Sequence, residues 1–193
     1  MKKRLALLFV AVLALFGTAS AQKVGLKTNL VHDGFLSPDL GIEIGLAPKW
    51  TLDVSGQVNF WTINEHKWKH WLVQPEARYW LCERFAGHFF AVHALGGEFN
   101  FGNIKNDVKW LNSDFSKLSD RRYQGWGAGA GIGYGYAWVL NDHWNFEAEI
   151  GIGWIYTQFD EYPCDNCGSK LAEGLTHNYF GLTKAALSFV YLF

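Results

Sequence analysis

From Gly125 to Trp138 the chain alternates strictly. The odd positions Gly125, Gly127, Gly129, Gly131, Gly133 and Gly135 are all glycine, and the even positions read Trp126, Ala128, Ala130, Ile132, Tyr134, Tyr136 and Trp138. A period of two is that of an extended strand with one face against something apolar. The other face carries no side chain, so it meets a crowded or narrow interior. The stretch Tyr123–Asn141 is uncharged and long enough to be taken for a membrane helix. In a helix, however, the glycines would be scattered round the axis at a cost of about 1 kcal/mol each. A tilted membrane strand keeps them on one face.

The N-terminus reads as an export signal. Lys2, Lys3 and Arg4 precede the apolar run Leu5–Gly17, and Ala19-Ser20-Ala21 is a small-residue cleavage site. Residues 1–21 are expected to be removed, leaving residues 22–193 as one domain of 172 residues. The apolar run is shorter than the roughly 20 residues that an anchor helix needs. Losing the three basic residues lowers 17 Lys and Arg to 14 against 18 Asp and Glu, a balance of −4. No basic patch exists, so nucleic acid is not an expected partner. Mean hydropathy near zero with 17% aromatic residues suits neither a soluble domain nor a helical membrane protein. Membrane barrels occupy that gap, because lipid-facing and interior residues alternate.

The same period predicts eight strands. They are Gln22–Val31, Asp39–Ala47, Trp50–Phe60, Trp71–Cys82, Gly87–Phe101, Gln124–Leu140, Trp144–Phe159 and a last strand ending at Phe193. Strand five changes parity, and a bulge near Gly96-Gly97 is expected to reconcile its halves, keeping His93 and Glu98 inside. Pro75 is awkward in strand four, where it cannot donate to a ladder. Short connections (Pro48-Lys49, Glu83–Ala86, Asn141–His143) alternate with long ones (His32–Pro38, Thr62–His70, Gly102–Arg122, Asp160–Asn178). That is the plan of an all-β, eight-stranded antiparallel up-and-down transmembrane β-barrel, with the short turns periplasmic. Trp50, Tyr79, Trp138 and Trp144 form one aromatic girdle, and Phe60, Trp71, Trp126 and Tyr179 the other. A soluble lipocalin-like barrel would instead put its apolar parity inside. The interior parity carries Glu43, Asp53, Glu76, Glu147 and Glu149 against Lys27, Arg78 and Lys184. Isolated charges there are costly, so an interlocked network closing the lumen is expected.

With the strands in place, the chain resembles small eight-stranded outer-membrane barrels. Phe189, Tyr191 and the terminal Phe193 look like the C-terminal signal read by the barrel-insertion machinery. Lys27-Thr28-Asn29, Trp50-Thr51-Leu52-Asp53 and the block Lys67–Gly97 are similar to a Bacteroidetes family of unknown function, over residues 22–193. The resemblance implies a Gram-negative outer-membrane location, with outer-membrane lipid around the strands and no established activity or catalytic residue. Relatives near fimbrial genes hint at a surface-structure partner.

Chemistry beyond this is sparse. Cys164-Asp165-Asn166-Cys167 is a CxxC in the last long loop. In an exported protein a disulfide is its default, ahead of a zinc or redox role. Cys82 sits at the opposite barrel end, roughly 25 Å away, and cannot reach it. His66 and His70, with Glu65, have metal-like spacing, but the flanking Trp68 and Trp71 favour interface anchoring. No cofactor or metal site is expected. The leading function is a non-enzymatic structural, adhesive or fimbria-type assembly barrel acting through its outer loops. The alternative is an outer-leaflet acyl hydrolase or transferase, for which the loops offer Ser37, His70, Ser113 and His177 without a spacing that ties them together.

Overall fold

The computed structural model describes residues 24–63, 66–104, 109–110, 113–114, 116, 119, 121–164 and 168–193. It is all-β, with eight antiparallel strands in up-and-down order. They are β1 (Val24–Asn29), β2 (Asp39–Ala47), β3 (Trp50–Asn59), β4 (His66–Trp80), β5 (Gly87–Gly102), β6 (Arg122–Val139), β7 (Trp144–Tyr162) and β8 (Ala172–Leu192). Each strand pairs with its neighbours along the chain, and β8 pairs back with β1. One short helix, α1 (Leu30–Gly34), follows β1. Asn29 caps it, its side-chain oxygen accepting from the Val31 N–H at 3.1 Å. No helix among the described residues is long and apolar enough to cross a membrane, which says nothing about strands.

The turns are built by local chemistry. Asn141 Oδ1 accepts from the N–H groups of His143 and Trp144, both at 3.0 Å, closing the β6–β7 turn. Phe85 takes a φ of 65° in the β4–β5 turn, and its carbonyl accepts from Asn145 Nδ2 at 2.6 Å. The glycine face of β6 gives room to bulky neighbours. A methyl at Gly131 would lie 2.6 Å from His93 Nε2 and 2.8 Å from Thr183 Oγ1, and one at Gly133 would lie 2.8 Å from Glu149 Oε1.

Several expected boundaries differ. Strand one ends at Asn29, because the Asn29 cap diverts the chain into α1; residues 22–23 lie outside the described set. β4 begins at His66, not Trp71, and β6, β7 and β8 run to 18, 19 and 21 residues. The long connections shorten accordingly, the last to residues 163–171. The expected bulge at Gly96-Gly97 is absent. The β5–β6 register runs unbroken from Gly87↔Ala137 to Gly102↔Arg122, so Phe99 and Phe101 keep the parity of Phe89 and His93. Glu98 is therefore outside, where its Oε2 accepts from Trp71 Nε1 at 3.1 Å. Register shifts occur elsewhere, between Gly45 and Ala47 on β2 and between Phe159 and Glu161 on β7, and one changes the interior of β8: Gly151 pairs with Lys184 and Ile152 with Leu182, leaving Thr183 extra. Beyond it the parity reverses, which turns Tyr179 inward and removes it from the outer girdle.

Candidate functional site

The interior has three tiers. At the short-turn end Trp80, Phe89, Ala91 and Ala137 pack together beside Phe85, Val190 and Leu192, all buried. Above them sits the charge cluster. Strand pairing brings Lys27 (β1), Glu43 (β2), Asp53 (β3), Glu76 and Arg78 (β4), Glu147 and Glu149 (β7) and Lys184 (β8) to one level, and all eight are buried. Arg78 is the hub. Its Nε donates to Glu76 at 2.6 Å, Nη1 to Glu43 and Glu147 at 2.8 and 2.9 Å, and Nη2 to Glu149 at 2.8 Å. Its guanidinium lies 4.5 Å over the Phe89 ring. A planar fork with five donors is suited to this sharing.

The two lysines serve either side. Lys27 Nζ is 2.6 Å from Glu43 and 3.1 Å from Asp53, and Lys184 Nζ is 2.6 Å from Glu76 and 3.4 Å from Glu149. Thr51 adds a hydroxyl donor to Glu43 at 2.5 Å and accepts from Trp80 Nε1 at 2.9 Å, which links the two lower tiers. His93 on β5 caps the cluster, with Nε2 2.9 Å from the hydroxyl of the bulged Thr183 and Nδ1 3.7 Å from Glu76. Every strand but β6 contributes a side chain at this level; β6 contributes glycine. Five carboxylates face Lys27, Arg78 and Lys184, so the cluster is acidic overall.

The third tier is an apolar cup of about 840 Å³ at the long-loop end. Its walls include Leu72 and Trp68 from β4, Leu95, Phe99 and Phe101 from β5, Ile155 and Phe159 from β7, and Leu175 and Tyr179 from β8. Trp68 stacks on Phe101 with ring centres 4.5 Å apart, and Tyr123 meets Phe159 edge-on at 5.4 Å. The rim carries Arg121 paired with Glu161, and His32 with Nδ1 3.2 Å from Asp39. Of the residues singled out in the sequence, the loop candidates Ser37, His70 and His177 line this cup, as do Trp68 and Tyr179, which were read as interface anchors. The available signal was the interior parity, which changes from Glu147 and Glu149 low on β7 to Ile155 and Phe159 high on it.

Within the cup, Ser37 Oγ donates to the Phe35 carbonyl at 3.5 Å and accepts from Asn59 Nδ2 at 3.3 Å, so among the described residues its hydroxyl bonds to no histidine. The side chain of Ser113 lies outside the described residues. Cys164 is disulfide-bonded and Cys82 is free and exposed; Cys167 lies outside the described residues. No group of three or more metal-ligating side chains gathers among the described residues. Phe189 and Phe193 are exposed, and Tyr191 packs edge-on against Phe193 at 4.9 Å between ring centres.

A family model described as a protein of unknown function, DUF3575, matches residues 7–193. The chain belongs to that family. No curated protein and no solved structure matches it.

Proposed function

We propose that the chain is a non-enzymatic transmembrane β-barrel of a Gram-negative outer membrane of the Bacteroidetes type. In this reading residues 1–21 direct export, and the C-terminal strand with Phe189, Tyr191 and Phe193 is read by the insertion machinery. The long-loop end then faces outward and serves a structural, adhesive or surface-structure role, with a fimbria-type partner one occupant of that class.

One observation carries the membrane part: the molecule is inside out. Val92, Ile132 and Ile150 are 62%, 62% and 60% exposed, while Glu43, Asp53 and Arg78 are 0%, 1% and 2% exposed. In water that arrangement leaves a continuous apolar belt uncovered, far beyond the few hundred Å² typical of a monomer's largest patch. In a bilayer the belt is solvated, and the paired strands satisfy their backbone groups internally. Exposed Trp50, Tyr79, Trp138 and Trp144 lie at one end of the belt, and Phe60, Trp71 and Trp126 at the other.

The test is cell fractionation with gel mobility before and after boiling. The chain should sediment with outer membranes and run faster unboiled. A soluble periplasmic product with no mobility shift would refute the reading. The lipid-modifying alternative is tested separately by mass analysis of lipid A from deletion and wild-type strains, where an altered acyl pattern would favour the enzyme.

A further inference from the structure

The apolar cup has one polar corner. Its volume falls within the roughly 300–1,000 Å³ of small-molecule sites. Most polar side chains of its wall already have partners. The Thr157 hydroxyl donates to the His177 carbonyl at 3.1 Å, and the Tyr179 hydroxyl to the Leu182 carbonyl at 3.3 Å. Tyr123 donates to Glu161 at 3.2 Å, Asn59 holds Ser37, and His32 sits with Asp39. Two atoms of the wall are left over. Gln57 Oε1 on β3 and His70 Nδ1 on β4 are shielded from solvent and take no hydrogen bond among the described residues. Buried polar atoms are rarely left so. The two side chains are also neighbours. Gln57 pairs with Leu72 and Asn59 with His70, which sets Gln57 and His70 diagonally across one ladder.

Beside this corner runs an arc of rings. Trp68 stacks on Phe101 at 4.5 Å between centres, and Phe101 on Phe99 at 5.2 Å. Phe99 is 6.4 Å from Phe159, which meets Tyr123 at 5.4 Å. The His70 ring stands edge-on to Trp68 and Phe101, at 6.2 and 5.9 Å, so arc and corner join there. Such a wall favours flat rings, which gain offset or edge-on contacts beyond their buried area. Water suits it poorly, since each held molecule needs two to four polar partners. An ion suits it no better. Arg121 pairs with Glu161 and His32 with Asp39 at the rim, so an ionic ligand would lose its hydration without gaining a counter-charge. Height indicates the source. Trp71 pairs with Glu98 and Glu98 with Trp126, one level at the outer aromatic girdle. Trp68, His70, Phe99 and Phe101 lie beyond that level. In the membrane reading above, a ligand of the cup therefore arrives from water and not from lipid.

We propose that the cup binds a neutral aromatic small molecule bearing a hydroxyl, with its rings on the Phe101–Phe99–Phe159 arc and its hydroxyl at the Gln57–His70 corner. A hydroxyl is donor and acceptor at once. It donates to the Gln57 amide oxygen, and it can donate to or accept from the imidazole nitrogen. A turn about the last bond of either side chain carries the free atom round to the cup. The arc holds rings of suitable size, and the corner selects those that are hydroxylated. Arrival from water rests on the membrane reading; the site itself uses interior residues alone.

The experiment uses the full purified protein in vesicles of phosphatidylethanolamine and phosphatidylglycerol, with protein-free vesicles as the blank. The probes are naphthol and methylnaphthalene, which has a methyl in place of the hydroxyl. Equilibrium dialysis reads what binds above the blank. Naphthol should saturate at one molecule per chain. Gln57→Leu and His70→Phe should each weaken naphthol about tenfold, the weight of one hydrogen bond, and leave methylnaphthalene unchanged. Leu95→Trp, which narrows the cup away from the corner, should weaken both probes. A gel shift on boiling identifies the variants that fold, and either corner variant suffices. Lack of saturable naphthol binding by the wild-type chain would overturn the proposal without any variant. So would naphthol binding that survives in a folded corner variant, or equal losses of the two probes there. None of these outcomes bears on the membrane reading, which fractionation tests.

Discussion

Arg78 is the residue on which most of the interior depends. Four carboxylates take a hydrogen bond from its guanidinium, and none of them reaches water. Replacing such a pair with apolar groups can be neutral, but removing one partner leaves uncompensated buried charge. Arg78→Met should therefore lower unfolding stability by about 3–5 kcal/mol, read as a shift of the urea midpoint in vesicles. A loss below about 1 kcal/mol would mean that Lys27 and Lys184 hold the cluster without it. At this scale the sequence was informative about charge. Alternation in β2, β3, β4 and β7 places Glu43, Asp53, Glu76, Arg78, Glu147 and Glu149 on the interior parity, and the observed contacts join those residues. What alternation cannot encode is which carboxylate meets which cation, since that depends on the stagger between strands. The contacts of Thr51 and His93 were hidden for the same reason: a threonine and a histidine are unremarkable on a strand until register brings them to Glu43 and Thr183.

Among the elements, the β7–β8 hairpin departs most from its expected form. Its strands continue well past the apolar belt and are tied near the tip by Asp160. The Gly174 N–H, at 2.9 Å, and the Lys170 ammonium, also at 2.9 Å, hold the Asp160 carboxyl below its ordinary range. A depressed folded-state value contributes stability above the unfolded value, near 3.9, that is lost as pH falls through the lower folded value. NMR titration of the Asp160 side-chain carbon should give a midpoint below about 3.9, and the hairpin tip should loosen only in stronger acid. A midpoint at or above that value would exclude the tie. The same hairpin carries the terminal residues. Phe193 donates its N–H to the Val24 carbonyl at 2.9 Å and exposes its ring on the belt. Deleting it should reduce the amount of heat-modifiable protein in outer membranes; unchanged assembly would discount the signal. Strand identity was legible because the period persists for many residues. The bulge at Thr183 was not, because one extra residue shifts parity without a compositional mark. On β5 the opposite error arose: inward Phe99 and Phe101 suggested a bulge that the ladder does not contain.

For the whole molecule, the stacked tiers decide what passes through. The aromatic floor and the charge cluster together fill the short-turn half, in keeping with the narrow bore of eight strands. Purified protein in planar bilayers should give no steady single-size conductance steps. Uniform steps would mean that the buried ion pairs part around a water path, and would reopen a channel role. Up-and-down order and strand number were legible from alternation and turn spacing alone. The cup was not, since an apolar inner face and an apolar outer face look alike on one strand, and only the partners across the interior tell them apart.

The pairing of β1 with β8 also has a consequence in time. Thr28 lies beside Phe189, so the first strand made waits for the last. The turns at Pro48-Lys49, Glu83–Ala86 and Asn141–His143 let neighbouring strands meet early, at little loop-closure cost. The β1–β8 seam, by contrast, joins the most distant parts of the chain, and contacts of that kind slow folding most. Until it zips, β1 and β8 both present bare backbone, the state in which strand edges capture one another. An emerging chain is thus adhesive from its first strand to its last, and its safety rests on how quickly the two ends find each other.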